Sequence, residues 1–145
     1  MLIGEYLHTI DQKNRLSVPS KFRKELGNVV VVSRGLDECL FLYPVEIWKK
    51  LAEGLVAELP WGKAENRSFV RSMVAGAADV GIDSLGRILL PENLKKFASL
   101  EKEAMVVGLY NRVEIWNPEI WQSYSDAANK NTELIAEKLG ELGMY

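Results

Sequence analysis

The 145-residue chain has one cysteine, Cys39, and one histidine, His8. A lone cysteine closes no disulfide within the chain, and one cysteine with one histidine does not complete a tetrahedral zinc site. No metal or other cofactor is expected. Also missing are the phosphate-cradling patterns G-x-x-x-x-G-K-[ST] and G-x-G-x-x-G, and the G-x-S-x-G elbow that would back a His8–Asp11–Ser17 hydrolase triad. With no acid–base or nucleophile constellation to assemble, the chain is not expected to be an enzyme. No apolar run approaches the roughly 20 residues of a membrane span, and Met1-Leu2-Ile3-Gly4-Glu5 lacks the basic start of a secretory leader. No membrane partner is expected, and a reducing cytoplasm is the expected compartment. An excess of positive charge is lacking too: 18 Lys+Arg against 20 Asp+Glu give −2. Any attraction to a polyanion must therefore be local.

What is present is enough apolar material for a core, 48% hydrophobic against 26% charged residues, together with an internal repeat, whose detection decides the architecture. Gly4–Asp11 lies over Gly76–Asp83, 72 positions on. At the same offset Asp11-Gln12-Lys13-Asn14-Arg15-Leu16-Ser17-Val18-Pro19 lies over Asp83-Ser84-Leu85-Gly86-Arg87-Ile88-Leu89-Leu90-Pro91. Both read D-x-x-x-R-φ-x-φ-P, with φ apolar. Further on, Cys39–Pro44 matches Val113–Pro118, and Ile47-Trp48 matches Ile120-Trp121.

The two halves share one pattern of elements. Alternating Tyr6/His8/Ile10 and Leu16/Val18 around a polar Asp-Gln-Lys-Asn turn predict a hairpin. Pro19 opens a short helix, Ser20 to Leu26, stopped by Gly27. Val29–Ser33 and Cys39–Tyr43 predict a second strand pair, and Pro44 opens a helix with Trp48, Leu51, Leu55 and Leu59 at helical spacing. Each repeat thus reads β-β-α-β-β-α. Repeat 1 spans 5–48 and repeat 2 spans 76–121. Between them a connecting helix is expected within 60–75, with Phe69, Val70, Met73 and Val74 on its apolar face. A helical tail occupies 122–145, its helix roughly Asp126 to Leu142; from Glu119 onward two basic residues face five acidic ones. A unit of some forty residues buries too little surface to stand alone. The expectation is an α+β fold, mainly β, in which the two repeats intertwine into a small barrel decorated by helices.

The Asp11/Arg15 and Asp83/Arg87 pairs admit two readings. Asp is favoured where a turn begins, and an arginine four residues on can fold back on it as a staple. Alternatively, the arginine reaches outward to a phosphate, or to the N7 and O6 acceptors of guanine that a guanidinium fork matches. The local charge separates the copies. From Asp11 to Gly27, Lys13, Arg15, Lys21, Arg23 and Lys24 oppose two acids, net +3; from Asp83 to Glu103, four bases oppose four acids. The first copy is the better candidate for nucleic acid, and a staple is the preferred reading of the second. The tryptophans Trp48 and Trp121, at equivalent positions, and Cys39 are read as core.

The duplicated D-x-x-x-R motif, the opening Met-Leu-Ile-Gly-Glu-Tyr, and Leu40-Phe41-Leu42-Tyr43-Pro44 followed by Trp48 resemble the MraZ family of transcriptional regulators, within the SpoVT-AbrB group. The resemblance runs from Met1 to about Tyr124. It implies a double-split, swapped-hairpin-like β-barrel, double-stranded DNA as partner, homo-oligomeric rings, and a nucleoid-associated repressor. It further implies a target of short G-rich direct repeats in the promoter of a cell-division and cell-wall gene cluster. Carried over by residue, Arg15 is the principal DNA contact, Lys13 and Asn14 are its neighbours, and Asp11 supports it. Arg87 and Asp83 are the second copy, in which Leu85 stands where the first has Lys13; Lys21, Arg23 and Lys24 are secondary basic candidates. The competing expectation is an interaction or scaffold protein, or an AbrB-like antitoxin, whose Asp–Arg pairs are turn staples only.

Overall fold

The computed structural model describes residues 1–145. Repeat 1 contains β1 (Leu2–Thr9), β2 (Arg15–Ser17), α1 (Ser20–Leu26), β3 (Val29–Arg34), β4 (Leu40–Pro44) and α2 (Val45–Glu58). Then comes α3 (Ala64–Val70), which continues into a π-helical turn, Arg71–Ala75. Repeat 2 has β5 (Ala78–Gly81), β6 (Arg87–Leu89), α4 (Glu92–Phe97), β7 (Glu103–Tyr110), β8 (Val113–Trp116) and α5 (Pro118–Asn129), and α6 (Thr132–Glu141) closes the chain. The β-β-α-β-β-α order holds in both halves.

Strand pairing differs from the local hairpin that the alternation suggested. β1 and β2 share only one bridge, Ile10↔Leu16. β1 instead pairs along its length with β7, and β2 pairs with β6, its own counterpart in the other repeat. The result is an antiparallel six-stranded sheet, β1-β7-β8-β4-β3-β5, and a two-stranded ribbon, β2-β6. The exchange is reciprocal. Val18 N–H donates to Gly86 O and Leu90 N–H to Asn14 O, while Ile10 N–H donates to Lys102 O and Ile82 N–H to Asn28 O. Each bond has its partner 72 to 74 positions on, so neither repeat satisfies its own backbone without the other.

One core lies between sheet and ribbon. It joins Leu16 and Ile88 of the ribbon to Val30, Val32, Leu40, Leu42, Val106 and Ile115 of the sheet, and to Phe22, Leu26 and Leu94 of α1 and α4. Leu16 and Ile88 are directly opposed and fully buried, each contributing about 1.5–3 kcal/mol by its removal from water. Because strand side chains alternate, this burial turns Arg15, Ser17, Arg87 and Leu89 to the other face. The sheet's opposite face carries a second cluster, Cys39, Phe41, Tyr43, Met73, Val107 and Trp116, against which α2 and α5 place Trp48, Leu51, Leu55 and Trp121. Cys39 belongs there as expected: its thiol is buried, and that burial, with the Glu114 and Asp37 charges, pushes its pKa up to about 12.

Two helical details depart from the pattern. In the connecting helix Val70 and Met73 are buried, but Phe69 is exposed, since the wider π-turn shifts the apolar stripe out of the 3.6-residue phase. The tail is two helices rather than one. Asn117 caps α5 by accepting from the amides of Glu119 and Ile120, and the chain breaks at Lys130-Asn131 before α6. No helix is long and apolar enough to cross a membrane.

Candidate nucleic-acid interface

Each D-x-x-x-R segment folds into the same turn. Asn14 N–H donates to Asp11 O and Gly86 N–H to Asp83 O, closing the two loops. The fourth residue is left-handed in both, Asn14 at φ 61 and Gly86 at φ 77. Asparagine and glycine are the residues that take this conformation most readily. The aspartate then organises the backbone of the turn. Asp11 Oδ1 accepts the amides of Lys13 and Arg15, both at 2.9 Å, and Asp83 Oδ1 accepts those of Leu85 and Arg87 at 3.0 and 2.9 Å.

The second carboxylate oxygen holds the arginine. Arg15 Nε donates to Asp11 Oδ2 at 2.7 Å and Arg87 Nε to Asp83 Oδ2 at 2.9 Å. The staple therefore occurs in both copies. It engages Nε alone, and neither guanidinium makes a hydrogen bond within the chain through Nη1 or Nη2. Those end groups are the pair that forks onto two acceptors of a guanine edge or a phosphate. Staple and outward reach are thus compatible: the aspartate fixes the side chain, and the free end does the binding.

These bonds also hold both carboxyl groups below the usual aspartate range. For Asp11 the largest cause is the Arg15 amide, opposed by partial desolvation and reinforced by the Arg15 side chain and the Lys13 amide; Asp83 repeats the pattern with Arg87 and Leu85. A pKa lower in the folded than in the unfolded chain gives a contribution present above the unfolded value and lost as pH falls through the folded one. The turns should therefore be insensitive to pH near neutrality and open only below the ordinary aspartate value of about 3.9. Titration of the side-chain carboxyl resonances is expected to place both midpoints under that value; a midpoint at or above it for either residue would contradict the staple.

The β2-β6 register, Arg15↔Leu89, Leu16↔Ile88, Ser17↔Arg87, brings the two arginines diagonally together on the outer face, with Cβ atoms roughly 7–8 Å apart as such neighbours are. The other predicted residues take separate places. Lys13 is exposed at the tip of the first turn and Lys24 is exposed on α1. Lys21 Nζ lies 3.4 Å from Ile3 O. Arg23 crosses to the second copy, where its guanidinium covers Gly86 so closely that a Cβ there would collide with it, and its Nε donates to Val18 O. Asn14 is held inside the chain: its Nδ2 donates to Glu92 at 2.7 Å, and Lys95 Nζ donates to its Oδ1 at 2.8 Å. It shapes the turn, and each of its two polar atoms makes one bond to α4.

The sequence does not mark Lys95, Ser17 and Leu89 as part of this face. Lys95 was within reach, since the 72-residue offset maps Arg23 onto it, and each of the two sits on the other repeat's turn. Ser17 and Leu89 became visible only through the ribbon register.

Comparison with known proteins gives a consistent result. The chain matches a family described as "MraZ protein, putative antitoxin-like" twice, over residues 1–72 and 73–140. The second match takes in most of α6, which the motif resemblance left out. Among similar proteins are three described as "Transcriptional regulator MraZ": one from Clostridium tetani (strain Massachusetts / E88), 47% identical, one from Acetivibrio thermocellus, 46%, and one from Desulfitobacterium hafniense (strain DSM 10664 / DCB-2), 49%. Each aligns over 144 residues, 99% of this chain and 100% of the relative.

Proposed function

The chain belongs to the MraZ family, and on that premise we propose that it is a DNA-binding transcriptional regulator, not an enzyme, that reads DNA with the outer face of the β2-β6 ribbon. The observation that carries this reading is the convergence of two aspartate-stapled arginines, each with a free guanidinium end, on one ribbon face. A two-stranded ribbon fits the major groove, about 12 Å wide, where each base pair shows a distinct set of donors and acceptors. Arg15 is the principal contact, with Lys13 beside it; Arg87 is the weaker second contact. Asp11 and Asp83 position the arginines, Arg23 adds positive charge at the second turn, and Lys21 and Lys24 are secondary basic candidates on α1.

The finer reading is repression of a cell-division and cell-wall gene cluster through short G-rich direct repeats in its promoter, by a ring of subunits in the nucleoid-containing cytoplasm. Exposed apolar positions on the sheet face away from the ribbon, Ile3, Leu7 and Leu109, support self-association, because apolar patches on a folded surface mark contact sites. The experiment is a mobility shift on DNA taken from upstream of the chain's own gene. Wild-type protein should shift it in the presence of excess random-sequence competitor, and replacing the guanines of the repeats should remove the shift. Binding equally to DNA with and without G-rich repeats would overturn the sequence-specific reading.

A further inference from the structure

We infer that Leu85 and Leu89 are apolar contacts of the reading face and recognise the 5-methyl group of thymine; the inference rests on the ribbon being the DNA face. Both leucines are large apolar side chains left in water, Leu85 65% and Leu89 57% exposed. Neither is stranded by accident of the fold. Ile88 points inward to the core, so the alternation of β6 presents Leu89 outward, directly opposite Arg15. Leu85 stands at the tip of the second turn, its amide tied to Asp83.

The pseudo-symmetry makes the contrast sharp. At the 72-residue offset the first repeat has Lys13 and Ser17 where the second has Leu85 and Leu89, although the two backbones make the same turns with the same aspartate bonds. One scaffold therefore presents a polar half, Lys13, Arg15 and Ser17, and a mixed half, Leu85, Arg87 and Leu89. Leucine gains nothing from phosphates. Among the major-groove edges the apolar group is the thymine methyl, and burying a methyl against leucine removes both from water. Directly opposed strand residues have Cβ atoms about 4.5–5.5 Å apart, and base pairs stack at about 3.4 Å. Leu89 thus reaches a methyl within one or two base pairs of the guanine that Arg15 contacts. Lys13 tips one end of the ribbon and Leu85 the other, so its two ends differ and a single chain reads a site with a direction.

The test compares two duplexes covering the region upstream of the chain's own gene, one with thymine and one with every thymine replaced by uracil, which deletes the methyl and keeps the hydrogen-bonding edge. Wild type is expected to bind the uracil duplex about fourfold more weakly per contacted methyl, the equivalent of ~0.8 kcal/mol. In the Leu85→Ala/Leu89→Ala double variant the ratio of the two affinities should fall to about one, with melting temperature unchanged, because both side chains are exposed. Wild type that binds both duplexes specifically and equally overturns the inference and leaves the DNA face standing. A thymine preference that survives in the double variant also overturns it, as does a double variant altered only in oligomeric state. Wild type that binds neither duplex overturns the DNA reading, and this inference with it.

Discussion

Arg15→Ala is expected to lose specific DNA binding while keeping its fold and its oligomeric state. A bidentate arginine–guanine pair is worth about 1–3 kcal/mol of discrimination, roughly 5- to 150-fold in affinity for each subunit engaged. Where several subunits hold one DNA the losses compound, so a mobility shift should show no specific complex at concentrations that saturate wild type. The turn itself survives the change. Asp11 Oδ1 accepts the backbone amides of Lys13 and Arg15, bonds that alanine at 15 still makes, and the pair's ionic contact is partly exposed on both sides. Arg87→Ala should cost less, about fivefold or under, the low end of the same range, because the second turn places Leu85 where the first has Lys13. The scaffold reading predicts the reverse: a lower melting temperature for Arg15→Ala and no DNA-binding defect, since there is no binding to lose. Melting curves and mobility shifts on the same three proteins separate the two.

The second large effect is in the number of operator repeats. The segment Asp11 to Gly27, with its net +3, neutralises only a few phosphates, so one subunit on one repeat should bind weakly and with a shallow dependence on salt. Joined subunits change the arithmetic. Once one is seated, the next contact is intramolecular, and affinity can rise by about 10²–10⁴ without any new interaction. Repeats spaced near one helical turn, about 10 base pairs, keep the contacts on one side of the duplex. Titration of duplexes carrying one, two, three and four G-rich repeats is expected to give a steep gain from one to two and from two to three. Equal affinity for all four would remove avidity from the account.

The order of elements, the duplication and the arginine turns were legible in the sequence, and the strand partners were not. Leu16 and Val18 announce a buried strand face through their alternation, yet alternation does not say which strand lies alongside. Because both repeats carry the same D-x-x-x-R-φ-x-φ-P pattern, β6 fits β2 as well as the adjacent β1 does, and the backbone bonds from Val18 to Gly86 and from Leu90 to Asn14 settle the choice across repeats. That exchange places Arg15 and Arg87 on one face and reveals Ser17 and Leu89 beside them. By residue type alone the staple and the outward arginine are rivals; the atoms used, Nε for one and the Nη groups for the other, make them parts of one device. Asn14 went the other way. The family resemblance names it as a neighbour of the DNA contact; in the fold its side chain bonds Glu92 and Lys95 from a left-handed turn position. The break in the tail at Lys130-Asn131 had no proline or glycine to mark it, and so two helices read as one.

The most direct test of the ribbon as the DNA face is to map where the protein changes when DNA binds. Backbone amide hydrogen exchange, measured with and without the upstream duplex, is expected to slow at residues 11–17 and 83–89, and in the neighbouring α1, while α5 and α6 stay unchanged. Protection confined to α6 or to the sheet face of β1 and β7, with both arginine turns exchanging as in the free protein, would contradict it.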